Sequence, residues 1–274
     1  MGAGCRSETE RLFVKAARAE ETGDFEGAAR RLREIVIGHP ESPLVARAQF
    51  ELAQIHLLRT RDVPAAHAVL LEILHDYPDS PVAFQAHRLL ARLYEHELED
   101  PEKALPHYRA VLQSEADIRV ERDTLLSLGE CHYRLEQIEE AAAAYRKAVA
   151  LPYDASAAAA YFRLSMLSRL SGDHEAAFRW LEELASRTTD RTRRYTALLG
   201  QVEAFMSLER FDDARERLAE AERLSPDAPE NDELQTRLDS AESGPLSVDG
   251  TSDSLEELEG RIHWGSGGAP RRQR

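Results

Sequence analysis

Cys131 and His132 are the only adjacent thiol–imidazole pair in the 274-residue chain, the raw material of a nucleophilic cysteine. Neighbouring residues on a helix point about 100° apart, so the two cannot converge on one atom. Cys131 therefore reads as a small packing residue. Glu95, His96, Glu97, Glu99 and Asp100 form an acidic stretch around one imidazole that could attract a cation. Its place in a turn between helices makes it a solvated loop, and His96-Glu97 lacks the second histidine of a zinc-protease helix. No phosphate-binding loop, dinucleotide glycine pattern or nucleophile elbow occurs, and the 14 glycines are scattered. Carboxylates are plentiful, yet the pattern forces none into an apolar pocket, so no acid–base pair stands out. The sequence nominates no catalytic residue, no metal ligand and no cofactor. The expectation is a protein that is not an enzyme.

Composition narrows the partners. Fifty acidic against 35 basic residues give a net charge of −15, whereas nucleic-acid binders need a basic face that displaces counterions. Two cysteines exclude a disulfide framework and a cysteine-built zinc site. Mean hydropathy is −0.50, and no apolar run approaches the ~18 residues that span a bilayer, so no transmembrane segment is expected. Few aromatic residues and abundant Ala, Leu, Glu and Arg point to helices.

The elements that must carry any site come from an internal repeat. Gly23-Asp24-Phe25-Glu26-Gly27-Ala28 is followed by Leu32, Ile35 and Pro40; Asp62-Val63-Pro64-Ala65-Ala66 is followed at the same offsets by Leu70, Ile73 and Pro78. The same arrangement recurs around Ala104, Ala141, Ala177 and Ala214, so the anchors lie 38, 38, 37, 36 and 37 residues apart. An alanine with apolar residues four and seven further on marks one stripe of a helix, and the anchor is small because another helix must approach it. A second apolar-periodic stretch precedes each anchor, with a tight turn between, to which Gly23-Asp24 and Gly172-Asp173 supply a C-cap glycine and a helix start. Pro40, Pro78 and Pro226 close second helices. Each unit is an antiparallel helix pair that cannot bury its own stripe, so neighbours stack.

This pattern resembles the tetratricopeptide repeat family over residues 8–226. The likeness is carried by Gly23, Phe25, Ala28 and Pro40, and by Leu125, Leu128, Gly129, Ala141, Tyr145 and Ala148. It departs from the family in its length, since known units repeat at ~34 residues, and in lacking the first-helix tryptophan. The resemblance implies an all-α, right-handed superhelical solenoid of about six antiparallel helix pairs. It also implies a concave groove, lined by the first helix of each pair, that holds a protein or peptide partner. Transferring that face by spacing, 15, 11 and 8 residues before each anchor, gives Phe13, Ile55, Leu58, Leu126, Tyr133, Phe162, Met166, Leu199 and Met206. Allowing one inserted residue in the turn of the third unit adds Arg88 and Arg92. Glu20, Glu51, Glu95, Glu130, Arg169 and Glu203 occupy the remaining charged positions. An apolar, methionine-containing face suits an amphipathic helix or extended apolar peptide. Packing inside the superhelix, or self-association through these residues, is the alternative. The carboxylate-clamping asparagines of chaperone-binding arrays are absent, for Asn231 is the only asparagine.

The two ends carry separate expectations. Met1-Gly2-Ala3-Gly4-Cys5 looks like the cleavage end of a bacterial lipoprotein signal, a resemblance that implies diacylation of Cys5 if the written start lies inside a longer signal. The linkers Pro40-Glu41-Ser42-Pro43 and Pro78-Asp79-Ser80-Pro81 are similar to those of bacterial envelope tetratricopeptide lipoproteins. That reading puts the chain on the periplasmic face of a membrane, assisting assembly of a complex; the other reading is a cytoplasmic adaptor or chaperone-like regulatory protein. Residues 227–242 suggest a capping helix, and residues 243–274 an acidic flexible tail. Between 227 and 274 there are 11 acidic and five basic residues, so −6 of the charge lies there and −9 on the rest. Within the tail Ser254 and Glu257 form a capping box, and Leu255, Leu258 and Ile262 share one helical face beside Trp264.

Overall fold

A computed structural model describes residues 7–114 and 117–243 of the chain. Among these residues there are 13 α-helices and no strand. Helices pair in chain order: α1 (Glu8–Glu21) with α2 (Phe25–Gly38), α3 (Val45–Ile55) with α4 (Val63–Asp76), and α5 (Pro81–Arg92) with α6 (Pro101–Leu112). Then come α7 (Ile118–Arg134) and α8 (Ile138–Ala150), α9 (Ala157–Leu170) and α10 (His174–Arg187), α11 (Arg191–Ser207) and α12 (Phe211–Leu224), and finally α13 (Pro229–Ser243). The chain is thus an all-α array of six helix pairs with one further helix. It divides into two compact units, Met1–Ala148 and Val149–Arg274. Cys5 and the amphipathic segment 254–264 lie outside the described residues. No described helix is long and apolar enough to cross a membrane.

The anchors behave as their spacing demands. Ala28, Ala66, Ala104, Ala141, Ala177 and Ala214 are all 0% exposed. The residues four and seven positions on are buried in every pair, from Leu32 and Ile35 to Leu218 and Ala221. Each such Leu or Ile withdraws a side chain whose burial stabilises by roughly 1.5–3 kcal/mol.

The turns are equally regular. Five residues before each anchor the backbone enters the left-handed region: Gly23 at φ 81° and Gly172 at φ 76°, but also Arg61, Glu99, Glu136 and Glu209 at φ 51–59°. The next residue caps the second helix in four pairs. Asp24, Asp62, Asp100 and Asp173 accept the N–H of Gly27, Ala65, Lys103 and Ala176 at 2.8–3.1 Å. Ser7 caps α1 in a reciprocal box with Glu10, and Asp117 and Asp190 cap α7 and α11.

In the second unit α13 covers the end of the array. Leu234 and Leu238 are buried in one cluster with Leu198, Leu199, Phe205 and Leu218. Asn231 fixes the entry, accepting from the Tyr195 hydroxyl at 3.0 Å and donating to the Ser225 carbonyl at 2.7 Å.

Candidate functional site

In the second and third pairs the first helix ends in a π-helical turn, His56–Thr60 after α3 and Leu93–Glu97 after α5. In the other four pairs the N–H of the residue four before the anchor bonds a carbonyl five residues back. The bonds are Asp24 to Ala19, Gln137 to His132, Asp173 to Ser168 and Arg210 to Phe205, at 2.8–2.9 Å. In the two π turns the corresponding bond reaches six back, Asp62 to His56 and Asp100 to Tyr94, both at 2.8 Å. One residue has been inserted in each, which accounts for the two 38-residue spacings.

The insertion decides which side chains of the first helices face outward. In the first compact unit Phe13, Leu126 and Tyr133 are half-buried, Arg88 and Arg92 are exposed, and Leu58 is 61% exposed. Ile55 does not join them: it is 1% exposed, in the core with Leu52 and Ile35. Corrected for the inserted residue, Ile55 is equivalent to Cys131, Leu167 and Ala204, all buried. The positions that spacing should have reached in α3 are Phe50 and Gln54, with Leu57 in the turn; all three are half-buried. The signal was present in the sequence, since the second and third anchors follow the same 38-residue gap and both needed the allowance given only to the third.

In the second compact unit Phe162, Met166 and Met206 are half-buried, and Leu170 is exposed at the end of α9. Leu199 is buried in the cluster that includes Leu234 and Leu238 of α13, so it too belongs to the core and lines no face. Glu203 is buried as well, accepting from Arg169 at 3.2 Å and Arg237 at 3.1 Å. These guanidiniums answer the carboxylate and clamp α9, α11 and α13 together.

Electrostatics of the first unit's face are mixed. The Glu51 carboxyl is pushed up by burial and by Glu20, against the opposing pull of Arg47. The Arg47 guanidinium also lies 4.9 Å from the Phe13 ring centre, a cation–π contact.

The residues first examined for chemistry are otherwise engaged. Glu95 is no solvated loop residue but 4% exposed inside the π turn, where it accepts from the Tyr108 hydroxyl. Its backbone carbonyl accepts from Arg134 at 2.9 Å. Burial, then Glu95, raises the Tyr108 hydroxyl well above its ordinary range and pushes the Cys131 thiol up to about 12. Cys131 is fully buried and protonated, the opposite of an activated nucleophile. His132 turns away from it, hydrogen-bonded through Nδ1 to Gln137 Oε1 at 2.6 Å. Among the described residues no group of three or more His, Cys, Asp or Glu side chains converges as a metal site would require.

The family model for the tetratricopeptide repeat matches residues 13–81, 55–117, 97–155 and 126–192, in overlapping stretches that together cover well over half of the chain. No curated protein sequence is detectably similar. Among solved structures, a tetratricopeptide repeat protein from Parabacteroides merdae is 18% identical with a TM-score of 0.55, covering 86% of this chain and 87% of its own. YrrB, described as a TPR protein with an unusual peptide-binding site, is 18% identical with a TM-score of 0.56, over 76% of this chain and 100% of its own. PilF of Pseudomonas aeruginosa is 16% identical with a TM-score of 0.53, over 84% and 97%. At these identities the likeness is one of fold.

Proposed function

Because this chain belongs to the tetratricopeptide repeat family, we propose that it is a non-catalytic protein–protein interaction scaffold whose first-helix residues hold an apolar helical or extended peptide. One observation carries the reading: large apolar side chains stay on the surface where the repeat leaves the first helices uncovered. Leu58 at 61% and Leu170 at 63% exposure lead on the first-helix side, though Ile37 of the second helix α2 is more exposed still; Phe13, Phe50, Tyr133, Phe162 and Met166 are half-buried in their respective units. Methionine and aromatic side chains give adaptable and large contact areas, the usual source of binding energy at such surfaces. In the first unit Glu20 and Glu51 favour a partner that brings a positive charge, because a cation would offset the burial, and then the Glu20 repulsion, that raise Glu51.

The experiment is a quantitative pull-down with mass spectrometry, comparing the parent with Tyr133→Ala and Phe162→Ala. Partners lost from the variants, with helicity and melting nearly unchanged, support the face. A steep fall in melting instead makes these residues core and removes the proposal.

We further propose action at a bacterial envelope membrane, with a lipid on Cys5 as tether and assembly of a larger complex as the task. The support is the run of small residues ending in Cys5 and the two proline–serine linkers. Radiolabelled palmitate fed to cells expressing the gene from its own locus should label the parent and not Cys5→Ser. An unlabelled parent eliminates the tether and leaves the cytoplasmic adaptor.

A further inference from the structure

Four aromatic and imidazole side chains, from α4, α5, the π turn that follows it and α6, form a cluster that the peptide face does not use. His67 of α4 meets the Tyr94 hydroxyl through Nε2 at 2.6 Å. The Tyr94 ring stacks on His107 of α6, centroids 5.6 Å apart and planes 11° from parallel. His87 of α5 and His107 then face each other nitrogen to nitrogen, Nδ1 to Nδ1 at 2.9 Å. Both imidazoles are half-buried, so the pair is held by packing yet open to solvent.

We propose that His87 and His107 form a two-imidazole binding site for a divalent transition-metal ion of tetragonal preference, copper(II) or nickel(II). Two imidazoles with the other positions left to water make an N,O donor set, which suits tetragonal copper(II) or nickel(II). Nitrogens 2.9 Å apart lie within reach of one ion about 2 Å from each, once the hydrogen bond between them opens and both lone pairs turn toward it. The protonation state also suits a ligand role. In the metal-free pair one Nδ1–H donates to the other Nδ1; on binding, that proton moves to the donor's own Nε2, and no proton need leave the protein. The remaining coordination positions fall to water, since no third such side chain converges there among the described residues.

Calorimetric titration of the full chain with nickel(II), and electron paramagnetic resonance with copper(II), test the site. The parent should bind one ion, with copper hyperfine structure from two nitrogens. The paired variant His87→Gln/His107→Gln should bind at least tenfold more weakly, and His75→Gln, an exposed imidazole elsewhere, should match the parent. Should the paired variant fold poorly, copper(II) added in trace to the isotopically labelled parent gives an independent answer, broadening the His87 and His107 signals first. Equal affinity in the paired variant, loss in His75→Gln, broadening centred on other residues, or no saturable binding in the parent overturns the proposal.

Discussion

Truncating Ile55 and Leu58, three residues apart on the same helix, should separate core from face. Spacing from the anchor nominated both, and the π turn assigns them opposite roles. Ile55 is 1% exposed and packs in the same cluster as Leu52, Ile35 and Leu32. Ile55→Ala should therefore cost about 2–5 kcal/mol, the transfer energy of the lost carbons plus a cavity that neighbouring helices cannot close. Leu58 is 61% exposed, so Leu58→Ala should change stability by no more than about 0.5 kcal/mol. Its effect should fall on binding, where losing a side chain worth about 1 kcal/mol at an interface weakens affinity roughly fivefold. Half-buried Phe50 and Leu57 should lie between, losing both stability and affinity. Urea unfolding by circular dichroism supplies the first measurement and anisotropy with a peptide from the captured partner the second. Equal destabilisation by Ile55→Ala and Leu58→Ala would refute the inserted-residue register, as would Ile55→Ala weakening affinity at undiminished stability.

The left-handed turns predict a change of sign. Glu136→Gly and Glu209→Gly should stabilise by about 0.5–1 kcal/mol, because relief of the ~1–2 kcal/mol that a Cβ costs at φ near +60° exceeds glycine's entropic penalty. Gly23→Ala and Gly172→Ala should destabilise by a similar amount, and urea midpoints moving the same way in both sets would discredit the argument. Gly129 makes two effects compete: alanine gains about 1 kcal/mol of helix propensity, but its Cβ would collide with the buried Tyr145 ring, at about 1–3 kcal/mol for overpacking. Gly129→Ala should lose stability on balance, and a higher melting point would show that the ring yields. For pH, His107 has a folded pKa of about 4 against the unfolded 6.5, so its contribution is complete above 6.5 and drains away as pH falls to 4. His107→Gln should flatten the stability profile over that window, and an unchanged slope would mean the histidine is not the cause.

The architecture was legible because the repeat states it six times. Every anchor and its two followers reached the core, for the alanine spacing encodes contact between neighbouring helices and nothing else competes for it. The first-helix face was legible only where helix ends were regular. Counting backward from the anchor reaches partly exposed side chains through a five-residue closure, as at Tyr133 and Phe162, and slips by one through a π turn, as at Ile55. Leu199 failed for a different reason: its cover is α13, an element after the repeat, which spacing within the repeat cannot announce. Glu95 was misread because an acidic run looks solvated, whereas its burial depends on Tyr108, 13 residues away on the next helix.

Three buried polar groups, His56, Glu95 and Glu203, mark where the stack is irregular. His56 and His132 stand at equivalent positions of the second and fourth pairs. In the regular fourth pair His132 Nδ1 finds Gln137, four residues before the anchor, at 2.6 Å. In the second pair the inserted residue moves the corresponding Asp62 off to 3.9 Å, and His56 Nδ1 is left with no hydrogen bond. Burial, then Arg33, lowers its pKa, and an orphaned buried nitrogen costs about 1–3 kcal/mol. Glu95 lies in the other π turn, and Glu203 lies where Arg237 of α13 reaches back to the last pair. His56, Glu95 and Glu203 are thus explained by an extra residue or an array end, not by convergence on a reacting atom. What remains are the outward side chains of the first helices, and the proposed recognition of a partner rests on them.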